Sequence, residues 1–267
     1  MMQSQNNAKA DVVMITGASS GIGEQMAYEA AKKGYQLVLC ARRENELERV
    51  ADVCRALSKM EVITYPMDLT DPSKVEEIVK DIITSVGTID VLMNNAGFGL
   101  TEYFIDANLK TAEKMFDVNV LGALYVTQLV AIEMVENRKG HIFFTASMAG
   151  KLPTPKSSLY SATKAAVIAF CNSLRLELNP LNINVTTINI GPTDTPFFDT
   201  FDPEGTYLKR IKPLVLDANR VAEKTIETIG KSKREINMPW LMEVGSKMYH
   251  LFPTVGDAII LKFFDFK

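Results

Sequence analysis

The chain alternates short, continuous apolar runs with longer stretches in which apolar residues recur every three or four positions. Val12-Val13-Met14-Ile15 is the first run, and residues 35–41, 62–65, 89–93 and 141–145 follow the same pattern, as do Ile183–Ile190 and the short Glu235–Met238. Runs of this length, apolar at neighbouring as well as alternate positions, predict strands covered on both faces. Between them lie helical stripes: Ile22, Met26, Ala27 and Ala30; then Leu47, Val50, Ala51, Cys54 and Leu57; then Val75, Ile78, Val79, Ile82 and Val86. A long helical region is predicted over residues 111–135, another over Ser158–Leu178, and a last stripe is Val221, Ala222, Thr225, Ile226 and Ile229.

Breakers mark the ends. Gly34 and Gly87 follow helices as C-caps, Pro72 stands in a first turn, Gly140 and Pro180 lie just past helical stretches, and Asp217 can cap the last stripe. Strand and helix in strict alternation imply right-handed crossovers and an α/β fold, a doubly wound parallel sheet of about seven strands with helices on both faces. Ligands of such sheets bind outside the carboxyl ends of the strands. Arg42, Asp68, Asn94, Ser147 and Gly191 fall at or just after those ends, so residues far apart in sequence converge on one edge.

This organisation predicts a flexible tail over residues 1–10, one domain over 11–238 with a substrate loop at about 191–216, and an apolar extension over 239–267. The tail is polar and lacks the apolar core of a signal peptide. Of the 267 residues 47% are hydrophobic and the net charge is −3, so no basic face points to nucleic acid. Cys40, Cys54 and Cys171 are scattered and odd in number, which fits reduced thiols and a cytoplasmic setting. His141 and His250 have no ligand spacing with the cysteines, so no metal site is expected. No G-x-S-x-G elbow accompanies them, which argues against hydrolysis. No uninterrupted apolar run reaches the roughly 18 residues of a transmembrane segment.

Three stretches carry chemistry. The first is Thr16-Gly17-Ala18-Ser19-Ser20-Gly21-Ile22-Gly23, a glycine-rich turn between a strand and a helix. Glycines let the backbone approach a pyrophosphate, and the unpaired N–H groups of the helix start point at the anion, so the turn proposes a dinucleotide site. The plainer alternative is a turn in which glycine serves geometry alone. The second is Ala41-Arg42-Arg43 at the end of the second strand. An acid there would accept ribose hydroxyls of NAD, whereas guanidinium groups suit a 2′-phosphate, so NADP(H) is favoured over NAD(H). The alternative is a solvated pair of arginines. The third is Tyr160-Ser161-Ala162-Thr163-Lys164, which stacks a phenol and an ammonium one helical turn apart. A nearby cation favours phenolate and readies the tyrosine for proton exchange with a carbonyl or alcohol oxygen, which Ser147 can also hydrogen-bond.

Together these motifs resemble the short-chain dehydrogenase/reductase family, and the match runs over residues 11–238. Thr16-Gly17-x-x-x-Gly21-x-Gly23 resembles its cofactor turn and Asn94-Asn95-Ala96-Gly97 its strand-four motif. Ser147, Tyr160 and Lys164 resemble its catalytic triad, with Asn119 as fourth member. The resemblance implies that Tyr160 is the general acid in reduction and the base in oxidation. Lys164 would lower its pKa and hold nicotinamide ribose hydroxyls, Ser147 would orient the substrate oxygen, and Asn119 would support a water linking Lys164 to solvent. It further implies cofactor contacts from Gly17, Ser19, Ser20, Gly21, Ile22, Gly23, Arg42, Arg43, Asp68, Leu69, Asn94, Ala96, Gly97, Tyr160, Lys164, Thr193 and Thr195, with Asp68 near the adenine and Asn94 near the adenosine ribose. In plainer readings Asp68 caps a turn, Asn94 braces neighbouring strands and Asn119 bonds backbone.

The chain departs from the family pattern after strand six. Asn189-Ile190-Gly191-Pro192-Thr193-Asp194-Thr195 has Ile190 in place of a proline, with Pro192 beyond the glycine. The activity implied is an NADP(H)-dependent oxidoreductase acting on a small-molecule carbonyl or alcohol, as a homodimer or homotetramer. The alternative is a cofactor-sensing regulatory protein on the same fold. The extension, with Trp240, Met242, Ile259, Ile260, Phe264 and Phe266 among its apolar residues, has three readings. It can wall an apolar substrate pocket together with Phe197, Phe198, Phe201 and Tyr207, form core or subunit interface, or touch a membrane surface.

Overall fold

The computed structural model describes residues 11–202 and 214–263. The expected tail, Tyr207, Phe264 and Phe266 lie outside the described residues.

Seven strands form one parallel sheet: β1 (Val12–Thr16), β2 (Gln36–Ala41), β3 (Val62–Pro66), β4 (Val91–Asn94), β5 (Gly140–Ser147), β6 (Ile183–Ile190) and β7 (Glu235–Met238). Their order is β3-β2-β1-β4-β5-β6-β7. The order reverses direction between β1 and β4, where Val13 lies in register with Val91 and Ile15 with Met93. That crevice is where such a sheet holds a ligand.

The strands are apolar at successive positions because both faces are covered. On one face Val12, Met14, Val38 and Leu92 pack under α3 (Pro72–Val86), α5 (Ala123–Asn137) and α6 (Ser158–Leu178). On the other, Val13, Ile15, Leu37 and Leu39 pack under α1 (Gly21–Lys32), α2 (Glu44–Leu57) and α8 (Ala218–Ile226). Local chemistry sets the ends. Asp71 caps α3 by accepting from the Lys74 N–H, Gly87 closes it at a φ of 85°, and Asp217 caps α8 by accepting from the Asn219 N–H. His141, expected to play no part in metal binding, is a sheet residue: its ring is 2.8 Å from Thr186 Oγ1, accepts from the Gly230 N–H at 3.2 Å and stacks on Phe143. Burial pushes its pKa down to about 4.

Three elements differ from the sequence reading, the first being β4, which covers Val91–Asn94 rather than 89–93. β5 runs on to Ser147, because it stays in register with β6 as far as the Ser147–Ile190 pair. The helix predicted over 111–135 is α4 (Leu109–Phe116) and α5, joined by a π-helical turn at Asp117–Gly122. Gly122 presses on the neighbouring loop there: a Cβ would lie 2.5 Å from Leu69 Cβ. The whole stretch Leu109–Asn137 is long and apolar enough to cross a membrane by length and composition. One face of α5 packs into the core through Val126, Thr127, Val130 and Met134, while Leu121, Tyr125 and Ile132 are exposed.

Past β6, Thr193–Asp194 pairs in parallel with Leu216–Asp217, and α7 (Phe197–Phe201) follows Thr193–Asp194 in the chain. Two further helices, α9 (Trp240–Leu251) and α10 (Pro253–Phe263), follow the last strand.

Candidate active site

The glycine turn is built around close approaches. Gly17 has a φ of 68°, and a Cβ there would fall 2.7 Å from Ala96 Cα. Gly23 lets the helix sit on the turn, since its Cβ would fall 2.2 Å from Gly17 O. Thr16 Oγ1 accepts from the N–H groups of Asn95 (3.1 Å) and Ala96 (3.2 Å), and Asn95 Nδ2 donates to Gly17 O at 3.2 Å. The ends of β1 and β4 are therefore one rigid unit. Above it, Arg43 Nη2 donates to Ser20 Oγ at 2.9 Å and to Ser19 Oγ at 3.3 Å. Two serine hydroxyls, a guanidinium and the start of α1 thus face the same space, a donor set suited to phosphate. Side chains at Gly17 or Gly23 would spoil the turn, so the cradle fits a dinucleotide.

A cavity of about 670 Å³ runs along this edge of the sheet. It is lined by every cofactor residue expected from the sequence except Gly23 and Asn94. Gly23 acts through packing. Asn94 is turned into the protein, where its Nδ2 donates to Thr127 Oγ1 at 2.8 Å while its Oδ1 is buried without a partner. Its neighbour Asn95 lines the cavity instead. Successive strand residues point to opposite faces, and only one of two adjacent asparagines can face forward. Asp68 lines the cavity and also caps a turn, accepting from Thr70 N and Oγ1 at 3.0 and 2.9 Å. The turn-capping reading of that residue holds, and the residue is also part of the cavity wall.

Ser147, Tyr160 and Lys164 all line the cavity. Ser147 ends β5; its Oγ donates to Ile190 O at 3.3 Å and accepts from the Ala149 N–H at 3.1 Å. Tyr160 and Lys164 are one turn apart on α6, with Lys164 Nζ 5.8 Å from the centre of the Tyr160 ring. Lys164 Nζ donates to Thr145 O at 2.8 Å. Burial brings its pKa down to about 8. Thr145 had no signal in the sequence, because any backbone carbonyl at that strand position serves.

Asn119 sits in the π-helical turn and does not line the cavity, although Val118 does. Its Oδ1 accepts from the Phe98 N–H at 2.9 Å, and its Nδ2 donates to Phe98 O at 2.8 Å and to Thr163 Oγ1 at 3.1 Å. The amide thereby ties the loop after β4 to the helix that carries Tyr160 and Lys164. Extra turns of this kind often occur at functional sites.

Another part of the cavity wall is apolar. Phe201 and Phe197 lie against the Tyr160 ring, with centroids 5.2 and 5.8 Å away. Met242, Ile259 and Ile260, from the two C-terminal helices, complete this wall. Thr193 and Thr195 also line the cavity, and Thr195 approaches the phosphate turn, where a Cβ at Gly21 would be 3.3 Å from Thr195 Cβ. Ile190, in place of the family's proline, keeps strand geometry opposite Met238, and the next N–H, of Gly191, donates to Met238 O at 2.6 Å.

Comparison with known proteins agrees with this geometry. The family described as short chain dehydrogenase matches residues 11–204. An 11-beta-hydroxysteroid dehydrogenase-like protein of Arabidopsis thaliana is 40% identical over 190 residues, covering 71% of this chain and 61% of that protein. The chain thus spans less than two thirds of that relative's length. Among solved structures, an NAD+-bound xylitol dehydrogenase superposes with a TM-score of 0.78 at 26% identity, over 85% of this chain and 97% of its own. An alcohol dehydrogenase of Thermococcus sibiricus complexed with 5-hydroxy-NADP superposes with a TM-score of 0.76 at 27% identity, over 86% and 95%. The chain belongs to the short-chain dehydrogenase/reductase family of oxidoreductases.

Proposed function

We propose that the protein is an NADP(H)-dependent oxidoreductase that interconverts a carbonyl and an alcohol on a bulky apolar substrate, with Tyr160 as general acid and base. The observation that carries this reading is one continuous cavity. It is lined by Arg42, Arg43 and the glycine turn, by Ser147, Tyr160 and Lys164, and by aromatic and aliphatic side chains that include Phe197, Phe201 and Met242. A bound nicotinamide supplies the hydride in reduction and accepts it in oxidation.

The chain's own residues manage the proton and the position. In reduction Tyr160 Oη gives its proton to the substrate oxygen as negative charge develops there, and Ser147 Oγ donates a second hydrogen bond to the same atom. An ordinary tyrosine has a pKa of about 10 and is a reluctant acid-base group near neutrality. The Lys164 ammonium, anchored on Thr145 O, puts positive charge beside the ring and lowers the cost of the phenolate left behind. Phe197 and Phe201 keep water from the Tyr160 ring and favour an apolar body on the substrate. Asn119 holds the loop at Phe98 in place against α6. Because relatives carry the name hydroxysteroid dehydrogenase, a steroid ketone is the first bulky substrate to try.

The test follows NADPH absorbance across ketones of rising apolar size, with unmutated protein and Tyr160→Phe. We expect turnover of the larger ketones, abolished in Tyr160→Phe with NADPH binding kept. Near-normal rates in Tyr160→Phe would refute the role of the tyrosine.

A further inference from the structure

One group of charged side chains near the cavity has no part in the chemistry above. Lys151 follows the short turn Met148–Gly150 that leads away from Ser147. Its Nζ lies 2.6 Å from Glu235 Oε2, 3.2 Å from Asn237 Oδ1 and 3.3 Å from Glu243 Oε2. The acceptors come from two other elements, the edge strand β7 and the helix α9. All three ionised side chains are largely covered, with relative exposures of 14% for Lys151, 18% for Glu235 and 16% for Glu243. The cluster extends inward: Asn237 Nδ2 donates to Glu235 Oε2 at 3.0 Å, and Asn237 Oδ1 also accepts from Asn189 Nδ2 at 2.7 Å. On the outer side Arg234 is 3.9 Å from Glu235, and Lys247 is 3.1 Å from Glu243.

The position of the cluster gives it meaning. Lys151 does not line the cavity, but its neighbour Leu152 does, and so does Met242, the neighbour of Glu243. Met242 rests on Gly191, where a Cβ would come within 2.8 Å of its sulfur. Gly245 of the same helix faces Leu152, where a Cβ would be 3.9 Å from Leu152 Cδ1. Of the twelve residues of α9 only Ser246 is buried, so the helix rests on β7, the Met148–Gly150 turn and α10 with little buried apolar packing of its own. Burial by itself would raise the pKa of Glu235, but hydrogen bonds from Lys151 and Asn237 outweigh it and hold the carboxyl below its usual range. The carboxylate is therefore ionised near neutrality and needs its cation.

We propose that Lys151 is a positioning residue for substrate size: through Glu243 it clamps α9 onto the catalytic edge and so sets the far wall of the substrate cavity. This rests on the reductase reading above. Without Lys151, Glu235 and Glu243 face each other with their shared counter-ion gone. The helix start then moves away, taking Met242 with it. The glycine turn and the Tyr160–Lys164 pair stand on other elements and stay in place. A bulky apolar substrate should lose its wall, whereas a small ketone that does not reach Met242 should not register the change.

The test compares the full-length unmutated protein with Lys151→Met, Lys151→Arg and Glu243→Gln. It measures NADPH affinity, kcat and KM for cyclohexanone and for a four-ring steroid ketone, and amide hydrogen exchange over Trp240–Leu251. In Lys151→Met we expect unchanged NADPH affinity and unchanged constants for cyclohexanone. KM for the steroid ketone should rise about tenfold, the effect of roughly one lost charge-assisted contact, with kcat little altered. Exchange over Trp240–Leu251 should quicken, Glu243→Gln should move in the same direction, and Lys151→Arg should recover most of the effect. An equal loss for both ketones, a fall in NADPH affinity, or unaltered exchange in the helix would overturn the proposal. Should Lys151→Met fail to fold, Glu243→Gln decides: no shift in steroid-ketone KM or in exchange overturns it. If the unmutated protein reduces neither ketone, the reductase reading has failed. The clamp is then judged by exchange in the helix and by steroid-ketone affinity in the cofactor-loaded protein, and both must respond to Lys151→Met.

Discussion

The choice between NADPH and NADH should rest on two side chains, and the expected size of their effect can be worked out. β2 ends at Ala41, and both Arg42 and Arg43 line the cavity beside the phosphate turn. No carboxylate stands at Ala41 to receive ribose hydroxyls. Among the described residues, Arg42 and Arg43 supply the guanidinium groups that line the cavity, and replacing both by alanine removes them. A charge-assisted hydrogen bond contributes about 1.5–3 kcal/mol, and because both arginines are exposed the lower figure applies. Two such contacts to a 2′-phosphate give about 3 kcal/mol, a factor of roughly 150 in Kd at about 1.4 kcal/mol per tenfold. The single variants should differ. Arg42→Ala should weaken NADPH alone, whereas Arg43→Ala also releases Ser19 and Ser20 and should weaken NADH slightly as well. Calorimetric titration of each variant with NADPH and NADH, at low and high salt, separates these contributions, because a contact between exposed charges fades as salt rises. The double variant should bind both cofactors about equally. Equal dissociation constants in the unmutated protein, or a preference that survives loss of both arginines, would refute the reasoning.

Two further outcomes follow from packing and protonation. Gly23→Ala would place a methyl 2.2 Å from Gly17 O and 2.5 Å from Asn95 Nδ2, so α1 must back off the turn. Overpacking of this kind costs about 1–3 kcal/mol, and we expect a lower Tm with cofactor binding weakened beyond that of a comparable surface variant; unchanged Tm and Kd would contradict it. His141 should make stability fall in acid. Its folded pKa of about 4 lies below the ordinary value of about 6.5, so between those limits the unfolded chain binds the extra proton and stability drops as pH falls. The full effect is about 3 kcal/mol at roughly 1.4 kcal/mol per pKa unit, complete near pH 4 and absent above pH 7. Urea unfolding from pH 7.5 to 4 should show this slope, and His141→Gln should flatten it; identical slopes in the two proteins would sink the idea.

What the sequence revealed and what it hid have separate physical causes. Ser158–Leu178, Ile183–Ile190 and Glu235–Met238 fall where the hydrophobic pattern put them. Their ends are marked by residues whose effect is local, such as the Pro180 that halts α6. The cavity residues were legible for a related reason: strand ends in a parallel sheet share one edge, whatever their distance along the chain. Asn94 and Asn95 could not be told apart, because a shift of one residue in the end of β4 exchanges their faces. The π-helical turn at Asn119 was hidden too, since an apolar stripe runs through it almost unbroken. Lys151 left no trace at all. Its acceptors are 84, 86 and 92 residues away, and its ammonium is one of 29 basic groups in the chain.

The C-terminal extension shows most plainly where a pattern stops being informative. Substrate wall and associating surface stood as alternatives in the sequence, because Trp240 to Leu261 offers apolar residues on every side of a helix. In the fold the two are not exclusive. Met242 and Ile260 are half-buried at the cavity, while Trp240, Leu251, Phe252, Val255 and Leu261 are exposed. Apolar residues all round a helix signal burial on more than one side, and among the described residues these stay exposed. Trp240, the chain's single tryptophan, is 72% exposed at the start of the helix that Glu243 ties to Lys151. The clamp is therefore polar and specific in a segment that is otherwise greasy. Apolar contacts alone would let these helices settle in many registers on the cavity mouth. A lysine with three acceptors on two different elements selects one of them, and with it the width of the cavity beyond Tyr160.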